Sequence, residues 1–289
     1  MSYITFSSLG SSGGMCSQLQ SYASSLAVAK ANNKQLVFSK SMFNEGCGIK
    51  IFDLLEIEPI LKPDSFFKNF QNKLINFHTT KYDETLFNLN SDINYDLSGR
   101  FDLYTYWYND IGNEVKSWLF NKKSQDKATQ VYKNIKENLG DKPTVSIHIR
   151  KGDYTLPQNK PLDILDSDYY LNAIIKHFQP IKDYNFIVFS NDIEYAKAML
   201  EGDNIWFVEP KGIDAHSYTS SEKDDLALLS LCDNHIIANS SYSWWGAFLS
   251  KNKNKKVICP TNWLISNHES AWINGNYFPK EWINIDNKN

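Results

Sequence analysis

From Thr144 onward, short apolar runs alternate with segments of helical periodicity, and this alternation restricts the fold more than any other sequence feature. Continuous apolar runs are typical of parallel strands that are buried on both faces. The predicted strands are 144–149, 185–190, 205–208, 235–238 and 257–259. The predicted helices are 167–178, 193–200, 224–232 and 243–250. This pattern predicts a doubly wound α/β domain over residues 141–289.

The first part of the chain shows one clear α/β unit followed by a long irregular stretch. The unit consists of a strand over 3–6, a loop of small residues over 7–14, a helix over 17–31 and a strand over 35–38. Residues 39–121 lack a clean period, so we expect short helices and long loops there. An amphipathic helix over 124–139 then ends at Gly140. We therefore predict a first α/β domain over residues 1–140, with a hinge at 140–143.

The length and composition of the chain are those of a folded protein with a small net charge. The chain has 289 residues, which suggests two domains at about 100–200 residues each. Its 30 Lys and Arg residues against 33 Asp and Glu give a net charge of −3, so there is no basic excess to bind a nucleic acid. Aromatic residues make up 14% of the chain. Exposed rings would stack on sugars or bases, and packing in the core explains them equally well.

The cysteines and the first residues indicate a reducing compartment. The four cysteines are Cys16, Cys47, Cys232 and Cys259. They form no metal or disulfide pattern, and the apolar neighbours of three of them indicate reduced core residues. The start of the chain does not resemble a signal peptide, and no apolar run of about 18 residues is present. We therefore expect a cytoplasmic protein.

Ligands of open parallel sheets bind at the carboxyl ends of strands, so the loops that follow the predicted strands are the candidate sites. The first is His-Ile-Arg-Lys-Gly-Asp-Tyr at 148–154. Strand alternation puts His148 and Arg150 on the same face. The planar guanidinium of Arg150 fits the oxygens of a phosphate, which indicates a diphosphate ligand. A surface ion pair between Arg150 and Asp153 explains the same residues equally well.

The second candidate loop follows the strand 235–238 and opens a helix. It reads Asn239, Ser240, Ser241, Tyr242, Ser243, Trp244, Trp245, Gly246. The N–H groups and partial positive charge of a helix N-terminus attract an anion. Simple N-capping by Ser241 or Ser243 is the alternative, and the two tryptophans could belong to the core.

Two further loops give weaker signals. Asp192, in the Ser-Asn-Asp triplet 190–192, either caps the following helix or accepts the N1–H and N2–H donors of a guanine. Gly13 and Gly14 permit close approach of a ligand to the backbone before the first helix, which carries Gln18. This loop matches neither a dinucleotide fingerprint nor a P-loop.

Asp166 and Asp168 have the Asp-x-Asp spacing of many divalent-metal sites. They stand at the start of the predicted helix 167–178, where acidic residues favour the helix dipole and cap the first turn. The six histidines show no zinc-binding spacing. We therefore favour capping over metal binding and predict no metal and no other cofactor.

Three of these motifs, in this order, resemble those of the bacterial α-1,2-fucosyltransferases of glycosyltransferase family 11. They are the 148–154 motif, Phe-Ser-Asn-Asp-Ile at 189–193, and Ile-Ile-Ala-Asn-Ser-Ser-Tyr-Ser-Trp-Trp-Gly-Ala at 236–247. Val-Ile-Cys-Pro-Thr-Asn-Trp at 257–263 and Phe-Pro-Lys-Glu-Trp-Ile at 278–283 also fit. The resemblance spans nearly the whole chain and is weakest over residues 39–142.

The resemblance implies a two-domain fold of the GT-B type, with GDP-fucose bound mainly to the second domain. It implies an inverting, metal-independent transfer of fucose to the 2-hydroxyl of a galactose. Arg150 would contact the donor diphosphate, beside His148, and Asp192 would recognise guanine. Asp153 is the motif carboxylate, which either receives the proton of the acceptor hydroxyl or orients Arg150. The remaining donor-binding residues implied are Gly14, Gln18, Asn239, Ser240, Ser241 and Ser243.

Two positions depart from the family pattern. Members usually carry Gly-Gly-Leu-Gly-Asn-Gln in the first loop, whereas Cys16 and Ser17 replace the later Gly-Asn here. This change concerns the acceptor or the fucose pocket rather than the diphosphate. Lys151 stands where a second arginine is usual, which keeps the charge but loses the planar fork.

The sequence leaves the donor sugar and the acceptor open. A transferase that uses another GDP-sugar, such as GDP-mannose or GDP-rhamnose, would carry a similar nucleotide clamp. A non-catalytic carbohydrate or nucleotide-sugar binding protein is the other alternative. The expected acceptor is a galactose-containing oligosaccharide of a surface polysaccharide or its lipid-linked precursor, which is compatible with loose membrane association. The aromatic cluster 104–108 either stacks on an acceptor sugar or fills the core.

Overall fold

The computed structural model describes residues 2–11, 13–44, 48–68, 72–77, 82–99, 103–156, 164–209, 222–264 and 277–287. The chain divides into two compact units, Met1–Leu119 and Phe120–Asn289, and each contains one parallel β-sheet. Among the described helices, none combines the length and the apolar character that crossing a bilayer requires.

The first unit is built on a five-stranded sheet. Its strands are β1 (Tyr3–Thr5), β2 (Gln35–Ser39), β3 (Ile60–Lys62), β4 (Asn72–Phe77) and β5 (Asn94–Gly99). Its helices are α1 (Met15–Ala31), α2 (Asp64–Lys68) and α3 (Tyr108–Ser117). The strand order is β3-β2-β1-β5-β4, and every pair is parallel. The predicted strand–loop–helix–strand unit at the start of the chain is confirmed as β1, α1 and β2.

The expectation of helices and loops alone over residues 39–121 is wrong, because this stretch supplies three strands of the sheet. Two of them, β3 and β4, are edge strands. The side chains of β3 and those described in β4 are exposed or half-buried, and neither sequence carries a long continuous apolar run. Leu74 in β4, for example, is 57% exposed. Strand β5, which lies between β1 and β4, alternates polar residues with Tyr95 and Leu97, and both of these side chains are buried. Whether these segments form strands therefore depends on pairing with neighbouring strands rather than on the local sequence pattern.

The second unit contains the regular alternation that the sequence predicts. Its strands are β6 (Thr144–Ile149), β7 (Asn185–Ser190), β8 (Ile205–Val208), β9 (Asn234–Ile236), β10 (Val257–Pro260) and β11 (Ile283–Ile285). Its helices are α4 (Lys122–Leu139), α5 (Ser167–His177), α6 (Ile193–Met199), α7 (Glu222–Leu231) and α8 (Ser241–Leu249). The order is β11-β10-β9-β6-β7-β8, again with parallel pairs throughout. The predicted doubly wound sheet is confirmed, and β11 extends it by one strand.

Helix α4 lies in the second unit, so the boundary falls earlier than the hinge expected at residues 140–143. The N-cap of the helix is Asn121, whose side chain accepts from the Ser124 N–H at 3.0 Å. Ser124 and Lys127 then bind the buried carboxylate of Asp224 on α7, at 2.6 and 2.8 Å. A long-range polar contact therefore fixes α4 to the second unit, and Gly140 only ends the helix.

The aromatic cluster and the cysteines belong to the interior. Tyr104, Tyr106 and Trp107 are at most 8% exposed, so the cluster packs in the core of the first unit rather than presenting a sugar-stacking face. Cys16, Cys232 and Cys259 are buried free thiols, as predicted, and Cys47 lies outside the described residues.

Candidate functional site

The sheet order of the second unit brings three of the candidate loops to one edge. Strand β6 pairs with β7 on one side and with β9 on the other, in parallel register. The loops that follow these three strands carry Arg150, Asp192 and Ser240 respectively. Because parallel strands end at the same edge, these loops are neighbours, which is the position at which doubly wound sheets bind ligands.

Arg150 follows β6 and forms an ion pair with Asp153. Its Nε lies 2.8 Å from Asp153 Oδ1, and its Nη2 donates to Asp153 Oδ2 at 3.0 Å. The guanidinium carbon lies 5.7 Å from the ring centre of Tyr154. The two paired side chains stay 28% and 38% exposed. The predicted ion pair is therefore present, and it fixes a guanidinium that solvent and ligands can reach.

Asn191 lies in the 189–193 motif, which predicts no role for it, and it connects this loop to the loop after β7. Its Nδ2 donates to Asp153 Oδ1 at 3.0 Å, and its Oδ1 accepts from the Lys151 N–H at 3.0 Å. A Cβ added to Gly152 would lie 2.5 Å from Asn191 Nδ2. Gly152 therefore allows the amide to approach closely, and the amide in turn holds Asp153 against Arg150.

His148 is buried and is bonded to the first turn of α8. Its Nδ1 lies 2.9 Å from Ser243 Oγ, and its ring centre is 5.3 Å from that of Tyr242. Burial, and secondarily the charge of Arg150, lowers the pKa of His148 from 6.5 to about 3. The imidazole is therefore neutral at physiological pH. It links the end of β6 to α8 and supplies no charge of its own.

The polar residues at the serine-rich start of α8 differ in their burial. Asn239 and Ser243 are fully buried, and Asn239 Nδ2 donates to the Trp263 carbonyl at 3.1 Å. Ser240 occupies the N-cap position without a side-chain capping bond, and Ser241 is half-buried. Ser240 is also buried, at 6% exposed, so Ser241 is the more accessible serine at the N-terminus of the helix, where an anion would meet the free N–H groups.

Trp244 and Trp245 are 2% and 0% exposed, so both belong to the core. A Cβ added to Gly246 would lie 2.4 Å from Leu229 Cδ2 on α7. The Trp-Trp-Gly part of the motif thus packs α8 against the body of the unit and leaves the ligand-facing role to its first residues.

Asp192 caps the next helix and also faces a cation. Its Oδ1 accepts from the Tyr195 N–H at 3.1 Å, and its Oδ2 lies 3.6 Å from Lys151 Nζ. The same ammonium lies 3.7 Å from the ring centre of Tyr195. The side chains of Lys151 and Asp192 are 31% and 34% exposed. The capping interpretation is confirmed, and a reachable carboxylate and ammonium stand side by side at this edge.

Asp166 is the N-cap of α5, because its side chain accepts from the Tyr169 N–H at 3.1 Å. Asp168 lies in the first turn of the same helix. In the part of the chain that the structure describes, no three His, Cys, Asp or Glu residues cluster in a way that could hold a metal ion. The capping interpretation is therefore confirmed for Asp166.

In the first unit, Gln18 uses its amide to hold the loop around it. Its Nε2 lies within 3.3 Å of the carbonyl oxygens of Gly10, Gly13 and Gly48, and its Oε1 accepts from the Lys50 N–H at 2.9 Å. Gln18 is 1% exposed. The structure therefore gives this residue a role in shaping the loop that precedes α1.

Gly14 is the N-cap of α1, and nothing lies within 4 Å of a Cβ added to it. A cavity of about 240 Å³ lies at the same edge of this sheet and is lined by Ser7, Gly10, Ser41, Met42 and Ile49. Pockets for drug-sized ligands measure about 300–1,000 Å³. This cavity is therefore smaller than a typical pocket for a drug-sized ligand.

Tyr154 is a further contributor that the motif analysis left without a role. Its hydroxyl donates to the Asn239 carbonyl at 2.7 Å and so ties the loop after β6 to the loop after β9. The position of Tyr154 inside the 148–154 motif indicated that it could matter, but its hydrogen-bond partner lies 85 residues away, so the local sequence could not identify this contact. Arg150 with its anchors, together with the N-terminus of α8, is called the anion corner below.

Comparisons with known proteins show the family to which the chain is similar. The profile described as Glycosyl transferase family 11 matches residues 11–286. The O-antigen biosynthesis glycosyltransferase WbnK of Escherichia coli is 37% identical over 139 residues, which cover 45% of this chain and 44% of that protein. The alpha-1,2-colitosyltransferase of Escherichia coli is 28% identical over 210 residues, 67% of this chain and 66% of that protein. The matches thus span less than two thirds of either relative.

Among solved structures, a mutant of Arabidopsis thaliana FUT1 in complex with GDP superimposes with a TM-score of 0.54. The superposition covers 89% of this chain and 70% of that chain, at 13% identity. A likeness at this identity concerns the fold. The α/β architecture with two parallel sheets is of the GT-B type, as predicted.

Proposed function

Because the chain belongs to glycosyl transferase family 11, we propose that it transfers L-fucose from GDP-fucose to the 2-hydroxyl of a galactose residue. The observation that carries the proposal is the anion corner. Arg150 is held by two contacts to Asp153, and the strand it follows is paired with the strand that leads into α8. A fixed guanidinium beside a helix N-terminus suits a diphosphate leaving group.

The proposed chemistry is a displacement with inversion at the anomeric carbon of the donor. The acceptor hydroxyl forms the new bond to that carbon while the bond to the β-phosphate oxygen breaks and GDP departs with the electron pair. Negative charge then builds on the diphosphate, where Arg150 and the N–H groups of α8 would stabilise it. One such pre-aimed donor typically contributes about 3–4 kcal/mol to lowering the barrier. We propose that these groups do this without a metal ion.

The contacts of Asp153 favour a positioning role over that of the base. Both of its oxygens face Arg150, and Oδ1 also accepts from Asn191. A carboxylate engaged in this way is fixed in the geometry that holds the guanidinium and the amide. We therefore assign Asp153 to orienting the guanidinium and leave the proton of the acceptor to another group.

The neighbouring loop suits a guanine base. Asp192 would accept the N1–H and N2–H donors of guanine, and the ammonium of Lys151, 3.6 Å from Asp192, would donate to its O6. An adenine presents an acceptor and a donor in the opposite positions, so this pair would discriminate against it. Lys151 would thus contribute to base recognition rather than to the diphosphate clamp.

A second candidate donor is GDP-colitose. A relative that is 28% identical over 67% of this chain is named as an alpha-1,2-colitosyltransferase. Colitose is L-fucose without its 3-hydroxyl, so the two donors differ by one polar group at the sugar. The other relative is named for O-antigen biosynthesis, which supports a surface polysaccharide or its lipid-linked precursor as the acceptor.

The test is GDP release from GDP-fucose, GDP-colitose and GDP-mannose, in EDTA, with and without a panel of β-galactosides. We expect release from GDP-fucose that depends on the acceptor and persists in EDTA, with NMR of the product showing substitution at the galactose 2-hydroxyl. Release that requires a divalent ion would contradict the metal-independent mechanism. Release from GDP-colitose alone would select the second donor. Tight binding of GDP-fucose without release under any condition would indicate a binding protein.

A further inference from the structure

The first turn of helix α7 carries a carboxylate that the described part of the chain leaves without a hydrogen-bond donor. Asp225 is half-buried, and its Oδ1 is shielded from solvent and has no hydrogen-bond partner among the described residues. The neighbouring Asp224, by contrast, is bound by Ser124 and Lys127 of α4. A shielded carboxylate oxygen without a donor is costly to the fold, so a role for Asp225 outside the fold has to be considered.

Helix α7 begins at the edge of the sheet that carries the anion corner. It follows β8 and leads into β9, and both strands belong to the same parallel sheet. A helix that connects two parallel strands runs back antiparallel to them. The first turn of α7 therefore lies at the carboxyl edge of the strands, where the loops with Arg150 and Ser240 also lie.

Direct contacts hold the first turns of α7 and α8 side by side. The Tyr242 hydroxyl on α8 donates to the Glu222 carbonyl on α7 at 3.1 Å. The ring centre of Tyr242 lies 5.3 Å from that of His148 at the end of β6, and α7 and α8 also pack against each other. Asp225 follows Glu222 by three residues in the same first turn. It therefore lies on a helix that borders the anion corner.

Burial, followed by the charges of Asp224 and Glu222, raises the pKa of Asp225 from 3.8 to about 7. The other elements that pack against α7 are α4, α8 and β7. Strand β7 has no ionisable side chain, and α8 has only the phenol of Tyr242. From α4, the cation bonded to this turn is Lys127, which binds Asp224. A carboxyl that changes charge near neutral pH can accept a proton in one step and return it to water in the next.

We propose that Asp225 is the catalytic base that receives the proton of the acceptor hydroxyl. This assignment rests on the proposed function, in which a base is required. The acceptor oxygen forms its bond to the anomeric carbon of the donor, and its O–H bond breaks as the proton passes to the Asp225 carboxylate. The bond from the same carbon to the β-phosphate oxygen breaks, and GDP leaves with the electron pair. Water then removes the proton from Asp225.

The contacts of the two carboxylates at this edge favour Asp225 over Asp153 for this step. Asp153 is held by two contacts from Arg150 and one from Asn191. Asp225 Oδ1 has no such donor among the described residues, and the side chain remains partly exposed. An acceptor hydroxyl that reaches this carboxylate supplies the hydrogen bond that it lacks, and that hydrogen bond is also the path of the proton.

The test is the pH dependence of kcat/KM for GDP release from GDP-fucose with a β-galactoside, in the wild-type protein and in Asp225→Asn. Wild-type activity should fall as the pH decreases through about 7, because protonation removes the base. Asp225→Asn should lower kcat at least about a hundredfold and abolish this acidic limb. The amide carries no charge to be buried, so the variant should melt no lower than the wild-type protein at pH 8 or above, and unfolding would not explain the loss.

Glu222→Gln is the matched control in the same turn. Glu222 is exposed, and its charge contributes to the raised pKa of Asp225. This variant should therefore keep the maximal rate and shift the acidic limb to lower pH, which a purely structural role of Asp225 would not produce. An unshifted limb in Glu222→Gln would overturn the assignment.

Three further outcomes are decisive. If Asp225→Asn keeps more than about a tenth of the wild-type kcat, or keeps the acidic limb, Asp225 is not the base. Calorimetric binding of GDP should be unchanged in this variant, and its loss would show a role in holding the donor instead. A wild-type chain that releases GDP from no GDP-sugar would overturn the proposed function itself, and the assignment of the base with it.

Discussion

Replacing Arg150 by alanine should remove activity while leaving the second unit folded. Arg150 is 28% exposed, and its ion pair with Asp153 is also open to solvent. Exposed pairs of this kind contribute about 0–1 kcal/mol to stability. In a unit of this size each kcal/mol corresponds to about 2–4 °C in the melting temperature. We therefore expect Arg150→Ala to melt within about 4 °C of the wild-type protein.

The expected loss of activity is much larger. The pair with Asp153 fixes the guanidinium before the donor arrives, through contacts of 2.8 and 3.0 Å. Removing one pre-organised donor to a developing charge costs about 3–4 kcal/mol. At about 1.4 kcal/mol for each factor of ten, kcat/KM should fall at least about a hundredfold. The loss should appear mainly in kcat, because the charge on the diphosphate grows in the transition state.

The assay is GDP release at saturating acceptor, together with a thermal melt of the same preparation. Lys136→Ala is the matched control, since Lys136 is 29% exposed and is paired with Asp141 on the same unit, away from the anion corner. The control should keep both its activity and its melting temperature. An Arg150→Ala enzyme with more than about a tenth of normal turnover would refute the assignment of Arg150 as the diphosphate ligand.

Three further predictions concern particular side chains. Gly152→Ala should lower kcat/KM by up to about a hundredfold, because the new Cβ would displace the Asn191 amide that anchors Asp153, and displacements of about 1 Å have such effects. Normal kinetics in this variant would show that the contact between Asn191 and Asp153 does not position Arg150. Burial lowers the pKa of His148 and His235 from 6.5 to about 3, so the unfolded chain binds more protons than the folded one between these values. The free energy of unfolding should therefore be at its full value above pH 6.5 and should fall below that pH by as much as about 2.7 kcal/mol per pH unit. In urea unfolding, His235→Asn should halve that slope. Burial raises the pKa of Asp225 from 3.8 to about 7, so its charged form destabilises the fold; Asp225→Asn should raise the melting temperature above pH 7 and lose that advantage below pH 3.8. A variant that is equally stable relative to wild type at both pH values would show that Asp225 titrates normally.

The assignment of Asp153 as a positioning residue has its own consequence. Asp153→Asn keeps the shape of the side chain and an oxygen for one contact to Arg150 but removes the charge. If Asp153 orients the guanidinium, this variant should keep part of the activity and the wild-type pH profile. If Asp153 were the base, activity should fall as far as in Asp153→Ala, and the acidic limb of the pH profile should disappear.

The sequence by itself determined the second sheet and the residues that end its strands. Strands β6 and β7 were predicted with the bounds that the structure shows. Buried parallel strands must be apolar on both faces, so the local sequence carries this information. The same regularity placed Arg150, Asp192 and Ser240 directly after strands, where a doubly wound sheet binds ligands.

Only the tertiary structure decided what those residues touch. The order β9-β6-β7 joins segments that are far apart in the chain, and no local pattern encodes which strands become neighbours. The role of Asn191 depends on a contact across 38 residues, and that of Gln18 on carbonyls up to 30 residues away. The edge strands β3 and β4 escaped prediction for the same reason, since exposed strands carry no apolar run and exist through pairing. The burial of a segment is visible in its local sequence pattern, whereas strand pairing and hydrogen bonding between distant segments depend on the folded chain as a whole.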